Sequence, residues 1–467
     1  MNTAMEKTVD TQACPSGAIP FKISFRRSLI ALVIPIALQN LISASVNTAD
    51  IIMLGTIGQS AMAAISLANQ ITFIFMFFLM GLAIGAGILT AQYWGKKDIT
   101  IIRRILSIAC MFSASVSLVF FIASLCFPAS LMRIFTKDSE LVLYGAKYQQ
   151  TVSFAYLAMS ISQMYFSVVR SMEKARFCAA VTSASLILNI LMNAVCIFIL
   201  FPGQPDKAII GVAVTTVIAR CIELICCIVH SMRTGNIRFG FPAADNIQKL
   251  LLQDYLRYTT PALANYVIYG GALTAGAAII GHVSSDMVAA NAITNVVRNL
   301  AIVLCSGISG GGSVLIGKYL GSGDLQSAKK AGVMIYVYAL IFGILAGTTV
   351  LLLRPLVFYL VNINTAAQGY LDAMLIVCAV FCIGKSLNST IIGGVFCAGG
   401  DAKFGFWCDL IVMWGIIIPL AWVCAFVLQV PPVILYIAIC FDEVIKLPAA
   451  IIRFRQYKWL KNITRDI

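Results

Sequence analysis

Apolar residues run along this chain in blocks of about 21 to 32 residues with no two-residue alternation, separated by short polar or basic stretches. Twelve blocks can be read, at 29 to 53, 61 to 90, 102 to 127, 142 to 169, 177 to 201, 208 to 231, 258 to 280, 286 to 317, 331 to 353, 367 to 398, 404 to 428 and 432 to 452. Each is long enough for a helix to cross a hydrocarbon layer, and the missing alternation argues against the strands of a barrel. The pattern predicts an all-α polytopic membrane protein with twelve transmembrane helices. The longest internal polar stretch, 232–257, falls at the midpoint and reads as a cytoplasmic linker. It divides the chain into an N-terminal tail (1–28), an N-lobe of six helices (29–231), a C-lobe of six (258–452) and a C-terminal tail (453–467).

An internal repeat supports this division. At an offset of 226 residues Pro35 matches Pro261, Gly55 matches Gly281, Asn69 matches Asn295, Gly81 matches Gly307 and Gly85 matches Gly311. The register continues through Tyr93 and Tyr319, Gly95 and Gly321, and Asp98 and Asp324. Repeats with an even number of helices insert in the same orientation, so the lobes are expected to be related by a pseudo-two-fold axis along the membrane normal. Two similar lobes around a central cavity are what alternating-access transport requires.

Composition strengthens the reading. The 467 residues are 60% hydrophobic and 11% charged, with mean hydropathy +0.93, where a soluble domain carries roughly 25% charged residues. The net charge of +14 does not indicate nucleic acid, because the basic residues form short clusters between apolar runs. They indicate orientation instead. With a cytoplasmic N-terminus, most of the 33 Lys and Arg fall in cytoplasmic segments, leaving Arg133, Lys137, Lys207 and Arg354 outside. Both termini are therefore expected in the cytoplasm. The 15 cysteines show no CxxC and no paired Cys or His spacing, so they read as packing residues rather than as disulfides or a zinc site. Residues 1 to 21 lack the apolar core of a cleavable signal. No GxxxxGK[ST] loop is present, so an ion gradient is the expected energy source. The glycines from Gly307 to Gly312, with Gly317, read as close helix packing rather than phosphate binding.

A charge in hydrocarbon costs roughly 2.5 to 3.5 kcal/mol on insertion scales, so each one needs a reason. Asp442 and Lys446, four apart, can neutralise each other, as can Arg220 and Glu223 at three. Lys147 and Asp372 lie near enough to helix ends to reach the interface. Asp50, Arg298, Lys385 and Asp409 lack a partner on their own helices. A lone carboxylate at Asp50 points to a coupling site for H+ or Na+, with an interhelical salt bridge as the alternative. Asn189 and Asn193 share one face of the fifth helix and, with Thr216 from the sixth, can offer oxygens to a hard cation or serve as interhelical glue. Lys385 and Asp409 are expected to pair across helices ten and eleven, with Arg298 as a competing partner, either structurally or in contact with substrate. Pro35 bends the first helix, as a static wedge or as a hinge.

These residues resemble the MATE (multidrug and toxic compound extrusion) family. The resemblance lies in Pro35 to Asp50 followed by Ile51-Ile52-Met53-Leu54-Gly55, then Ala63-Ala64, Gly81, Gly85 and Ala91-Gln92-Tyr93-Trp94-Gly95. Pro261 to Gly281, Gly317-Lys318-Tyr319-Leu320-Gly321 and Ala398-Gly399-Gly400-Asp401 extend it over about residues 25 to 455. The resemblance implies export of small hydrophobic or cationic compounds in exchange for Na+ or H+, with no other cofactor. It makes Asp50 the coupling aspartate and Pro35 the bend of the first helix. Asn189, Asn193 and Thr216 become the rest of a cation site, in which Asp50, Asn189 and Asn193 would hold Na+ if sodium is the coupling ion. Asn193 falls where one branch has Asp. Where the norfloxacin-exporter branch has a seventh-helix Glu this chain has Tyr269, and Lys385 and Ser386 stand near its tenth-helix Asp. Coupling is therefore expected in the N-lobe, with Arg298, Lys385, Asp409 and Tyr269 as a separate polar or substrate site in the C-lobe.

The expected protein is a secondary antiporter, monomeric in a bacterial cytoplasmic membrane, acting on small organic molecules and binding no nucleic acid. A flippase of lipid-linked saccharides is the nearest alternative, but it would want several cavity-facing cations and only Arg298 and Lys385 are available. A membrane-embedded enzyme would need paired acids, clustered histidines or a metal set, and a sensor would need an appended domain. The chain has only His230 and His282, both at predicted helix ends.

Overall fold

The computed structural model describes residues 21–235, 237, 239, 249–360 and 365–465. The N-terminal tail up to residue 20 and the middle of the expected linker, including Arg238, lie outside the described residues. The first half of the chain forms α1 (Phe21–Ile57), α2 (Gln59–Lys96), α3 (Ile99–Cys126), α4 (Pro128–Arg133), α5 (Ser139–Val152), α6 (Ala155–Ser171), α7 (Ala175–Val195) and α8 (Pro205–Thr234). The second forms α9 (Lys249–Val283), α10 (Ser285–Ala301), α11 (Val303–Gly321), α12 (Leu325–Leu360) and α13 (Thr365–Asn388), then α14 (Ala402–Asp409), α15 (Ile418–Trp422), α16 (Pro432–Cys440) and α17 (Asp442–Arg455). Short π-helical stretches at Cys196–Leu200, Ser389–Phe396, Leu410–Ile417 and Val423–Val427 follow α7, α13, α14 and α15.

Among the described residues ten helices are long and apolar enough to cross a membrane, or eleven when α5 and α6, bent by 51°, count as one span. The expected count of twelve is met except at 432–452. There α16 and α17 meet at Phe441, and Asp442, Glu443 and Lys446 stand in the first turns of α17. The expected block 286 to 317 is likewise two helices, because Ile302 leaves helical geometry (φ −87, ψ 4) between α10 and α11. Large apolar side chains such as Leu118, Val119, Ile199 and Leu352 stay exposed on the outer helix faces, as contact with lipid requires.

The halves meet chiefly along α1 and α2 on one side and α9 and α11 on the other. Each half lends the start of its first helix to the other. Phe25, Leu29 and Leu32 of α1 join a buried cluster with Val314, Leu315 and Ile335, while Leu251 and Tyr255 of α9 join one with Leu82, Ile105 and Phe166. The repeat glycines make this approach possible. Gly81 faces Leu263 and Gly307 faces Val33 and Ala37; Gly85 faces Thr259 and Gly311 faces Leu32 and Val33. At the offset of 226, Ala37 corresponds to Leu263 and Val33 to Thr259, so the repeat-related partner is among the neighbours of each glycine in both halves. At the far end of α2 and α11, Gly95 lies on the Lys318 carbonyl and Gly321 on the Gln92 carbonyl, and any Cβ would collide with backbone. The glycines thus pack helices, as the sequence suggests.

The C-terminal segment extends this seam. Trp459 is fully buried beside Gly332 and Gly399. From there the chain crosses to α2, where the Gln92 amide donates to the carbonyls of Ala398 (2.8 Å) and Lys461 (3.2 Å) and accepts from the Ile463 N–H at 2.8 Å. The Arg465 side chain pairs with Asp254 of α9 at 2.8 Å, and Lys96 donates to the Arg465 carbonyl at 2.7 Å. Glu173, between α6 and α7, accepts from Lys318 at 2.8 Å and from the Trp94 indole at 3.2 Å. One end of the molecule is therefore closed by backbone contact, an ion pair and a strap of chain.

Candidate functional site

In the first half, α1, α7 and α8 bring together the residues singled out in the sequence. Asp50 is half-buried on α1, and its Oδ1 accepts from Asn193 Nδ2 at 3.1 Å. Asn193 is buried on α7, and its Oδ1 accepts from the Thr215 hydroxyl of α8. Asn189, one turn earlier on α7, donates to Thr216 Oγ1 at 3.4 Å, and the Thr216 hydroxyl donates to the Val212 carbonyl at 3.0 Å. Among the described residues no Lys, Arg or His lies within ion-pair distance of Asp50, so the interhelical salt bridge is not the arrangement found.

Thr215, rather than Thr216, completes the chain of contacts to Asp50. The signal for it was helical phase: Ala208, Val212, Thr215 and Ala219 are the buried face of α8, at spacings of four, three and four. Thr216 sits one step round the helix, on the Asn189 side. An amide that donates to one carboxylate oxygen leaves the other available, and a carboxylate, amide oxygens and hydroxyls are the donors a hard cation takes. The same set responds to a proton, because a neutral carboxyl accepts the Asn193 hydrogen bond less strongly. Pro35 lies within α1, which remains helical through it, fifteen positions before Asp50.

The second half holds a separate polar site whose pairing differs from the expectation. Lys385 and Asp409 do not pair with each other. Lys385 Nζ lies 3.1 Å from Glu443 Oε1 and donates to the Tyr269 hydroxyl at 2.6 Å. Asp409 pairs with Lys446 at 2.6 Å and accepts from the Asn265 amide at 2.7 Å. The reason is α17, which offers both signs of charge between α13 and α14 and so satisfies Lys385 and Asp409 separately. Lys446 does bond Asp442 at 3.0 Å, as their spacing predicts, yet Asp409 is also its partner. Glu443, almost fully buried and also held by the Asn388 amide at 2.7 Å, escaped the sequence reading because Lys446 stands three residues away on the same helix, so it did not read as a charge without a partner. Arg298 is not a competitor for Asp409. Its guanidinium lies over the Phe381 ring at 5.2 Å, in a second cavity with Asn291, Asn295 and Tyr436.

Lys385, Asp409, Glu443 and Lys446 line a cavity of ≈ 160 Å³ to which α2 contributes Ile84 and α9 contributes Asn265, Tyr266 and Tyr269. It therefore reaches the seam between the halves. The other charge pairs behave as their positions predict or find nearby partners: Arg220 with Glu223 at 2.8 Å, Lys147 with Asp206 at 2.7 Å, and Asp372 with Arg354.

A polytopic helical bundle built from two copies of one unit, with polar sites inside both, is the architecture of a transporter. The MatE family model matches this chain twice, over residues 35–195 and 261–423, and the chain belongs to that family of transporters rather than to an enzyme family. It is 26% identical over 445 residues to an uncharacterized transporter, YisQ, of Bacillus subtilis (strain 168), covering 93% of this chain and 95% of the relative. It is 23% identical over 437 residues to the probable multidrug resistance protein NorM of Agrobacterium fabrum, covering 90% and 91%. The fold superposes with TM-score 0.83 on a solved structure described as the outward-facing conformation of a multidrug resistance MATE family transporter of the MOP superfamily, at 16% identity, covering 93% of this chain and 96% of that one.

Proposed function

We propose that this transporter exports small hydrophobic or cationic organic compounds in exchange for Na+ or H+, with Asp50 as the coupling residue. The observation that carries the reading is a half-buried carboxylate with no cationic partner among the described residues, tied to α7 and, through Asn193, to α8. Occupancy by an ion cancels its charge and changes what Asn193 can donate to, so the packing of α1 against α7 responds to the ion. Asn189, Asn193 and Thr215 with Thr216 supply the neutral oxygens of the site. Pro35 is the bend about which the inner part of α1 adjusts, since it leaves the Ala31 carbonyl without its usual donor.

The closed end carries Lys96, Lys318 and the C-terminal strap, and the basic residues mark it as cytoplasmic. On this reading the arrangement is closed toward the cytoplasm, with both termini on the cytoplasmic side of a bacterial membrane. A flippase fits less well, because Lys385 and Lys446 are already neutralised by Glu443, Asp409 and Asp442, so that cavity offers no pair of free lysines to a lipid pyrophosphate. The relatives described as multidrug resistance proteins agree with export of organic compounds.

Efflux of ethidium from cells expressing the chain tests the proposal. Asp50→Asn should reduce efflux at least tenfold while the amount of protein in the membrane stays near normal. Unchanged efflux would remove Asp50 from the coupling role.

A further inference from the structure

On the closed face a small cavity of ≈ 150 Å³ lies between Arg257 to Pro261 in the N-terminal part of α9, the turn before α14 and the C-terminal strap. Three exposed cations, Arg257, Lys403 and Lys461, line it from these three elements. Among the described residues none of the three takes part in a salt bridge or a side-chain hydrogen bond. The one acid in the wall, Asp401, is already committed: Arg453 grips both its oxygens, at 2.9 and 3.1 Å. Asp401 is also the residue before the first turn of α14, yet it gives that turn no capping hydrogen bond. The positive end of α14 thus opens on the cavity beside Lys403, uncapped. Gly400, at φ 73, turns the chain closely past Tyr258, which forms another wall.

Three unpaired cations, a helix start without its cap and a recess of a few atoms' volume form a site for a tetrahedral oxyanion. Its position, beside the first turns of α14 and the N-terminal part of α9 on the face read as cytoplasmic, is where basic pockets between membrane helices meet anionic headgroups. We propose that the cavity binds the phosphate group of an anionic phospholipid of the cytoplasmic leaflet. The occupant would also brace the strap, because Lys461 both lines the cavity and, through its carbonyl, accepts from Gln92 of the other half.

Thermal unfolding of the purified full-length chain in detergent tests this, with phosphatidylglycerol, phosphatidylcholine or inorganic phosphate added. Two variants accompany the unaltered chain. One is Arg257→Ala/Lys403→Ala/Lys461→Ala; the other, Lys97→Ala/Lys330→Ala/Lys458→Ala, removes the same charge from the same face outside the cavity. Phosphatidylglycerol should raise the midpoint of the unaltered chain and of the control variant by about 2 °C or more over phosphatidylcholine. The cavity variant should lose most of that rise. Lys403→Ala alone gives the same comparison at smaller amplitude if the triple variant folds poorly. An equal rise in cavity and control variants, or no rise in any chain, would overturn the site. A full rise with inorganic phosphate alone would overturn the lipid as its occupant.

Discussion

At the scale of single residues, the two polar sites follow opposite electrostatic rules. Asp50 meets only neutral donors, so its charge is open to neutralisation by an ion. In the second-half cluster every charged group has an oppositely charged partner, Lys385 with Glu443 and Lys446 with both Asp409 and Asp442, two cations to three acids. Breaking a buried pair by removing one partner is costly, because the other charge is left without compensation. Glu443→Gln should therefore lower stability by about 3 kcal/mol, and adding Lys385→Met should restore most of it, measured by thermal unfolding in detergent. A single variant as stable as the double would mean that water, not Glu443, carries the lysine's charge. Asp50 was legible in the sequence because nothing one turn away could neutralise it. Glu443 was not, since sequence spacing reports partners on the same helix and the partner here comes from α13.

At the scale of elements, the repeat recorded in sequence is a repeat of jobs. Asp98 and Asp324 both stand before a helix and both accept from backbone N–H groups three residues on, at 3.1 Å from Ile101 and 2.9 Å from Ser327. The hydrogen bonds from Ser327 hold the Asp324 carboxyl below the ordinary carboxylate range. The contribution is therefore present above about pH 4 and lost as pH falls through the lower folded value. Asp324→Ala should cost about 1 kcal/mol of stability at neutral pH, as loss of a helix cap does. The difference from the unaltered chain should shrink in thermal unfolding below pH 4. The spans themselves were legible as apolar blocks. Their breaks at Ser153–Phe154, Ile302 and Phe441 were not, because no proline marks them and hydropathy is blind to a local change of backbone direction. The glycines could be read as close packing, but which backbone each one meets depends on the crossing of α1 and α9 between halves.

At the scale of the whole molecule, closure at one end is built from Gly95 and Gly321, from Glu173 with Lys318, and from the strap that runs from Trp459 to Arg465. None of the strap was legible, since its polar residues make mostly backbone contacts that leave no pattern. The cavity of the second half reaches the seam, while Asp50 lies on α1, the helix that touches both α7 of its own half and α11 of the other. On the proposed coupling role, neutralising Asp50 would act on a helix that belongs to the seam and so bias the balance between two arrangements of the halves. Substrate counterflow in proteoliposomes with an imposed gradient of H+ or of Na+ measures this coupling directly. An inward gradient of one of these ions should drive organic cations out through the unaltered chain, and the Asp50→Asn variant should exchange substrate without responding to either gradient. Gradient-driven transport that persists in the variant would contradict the account.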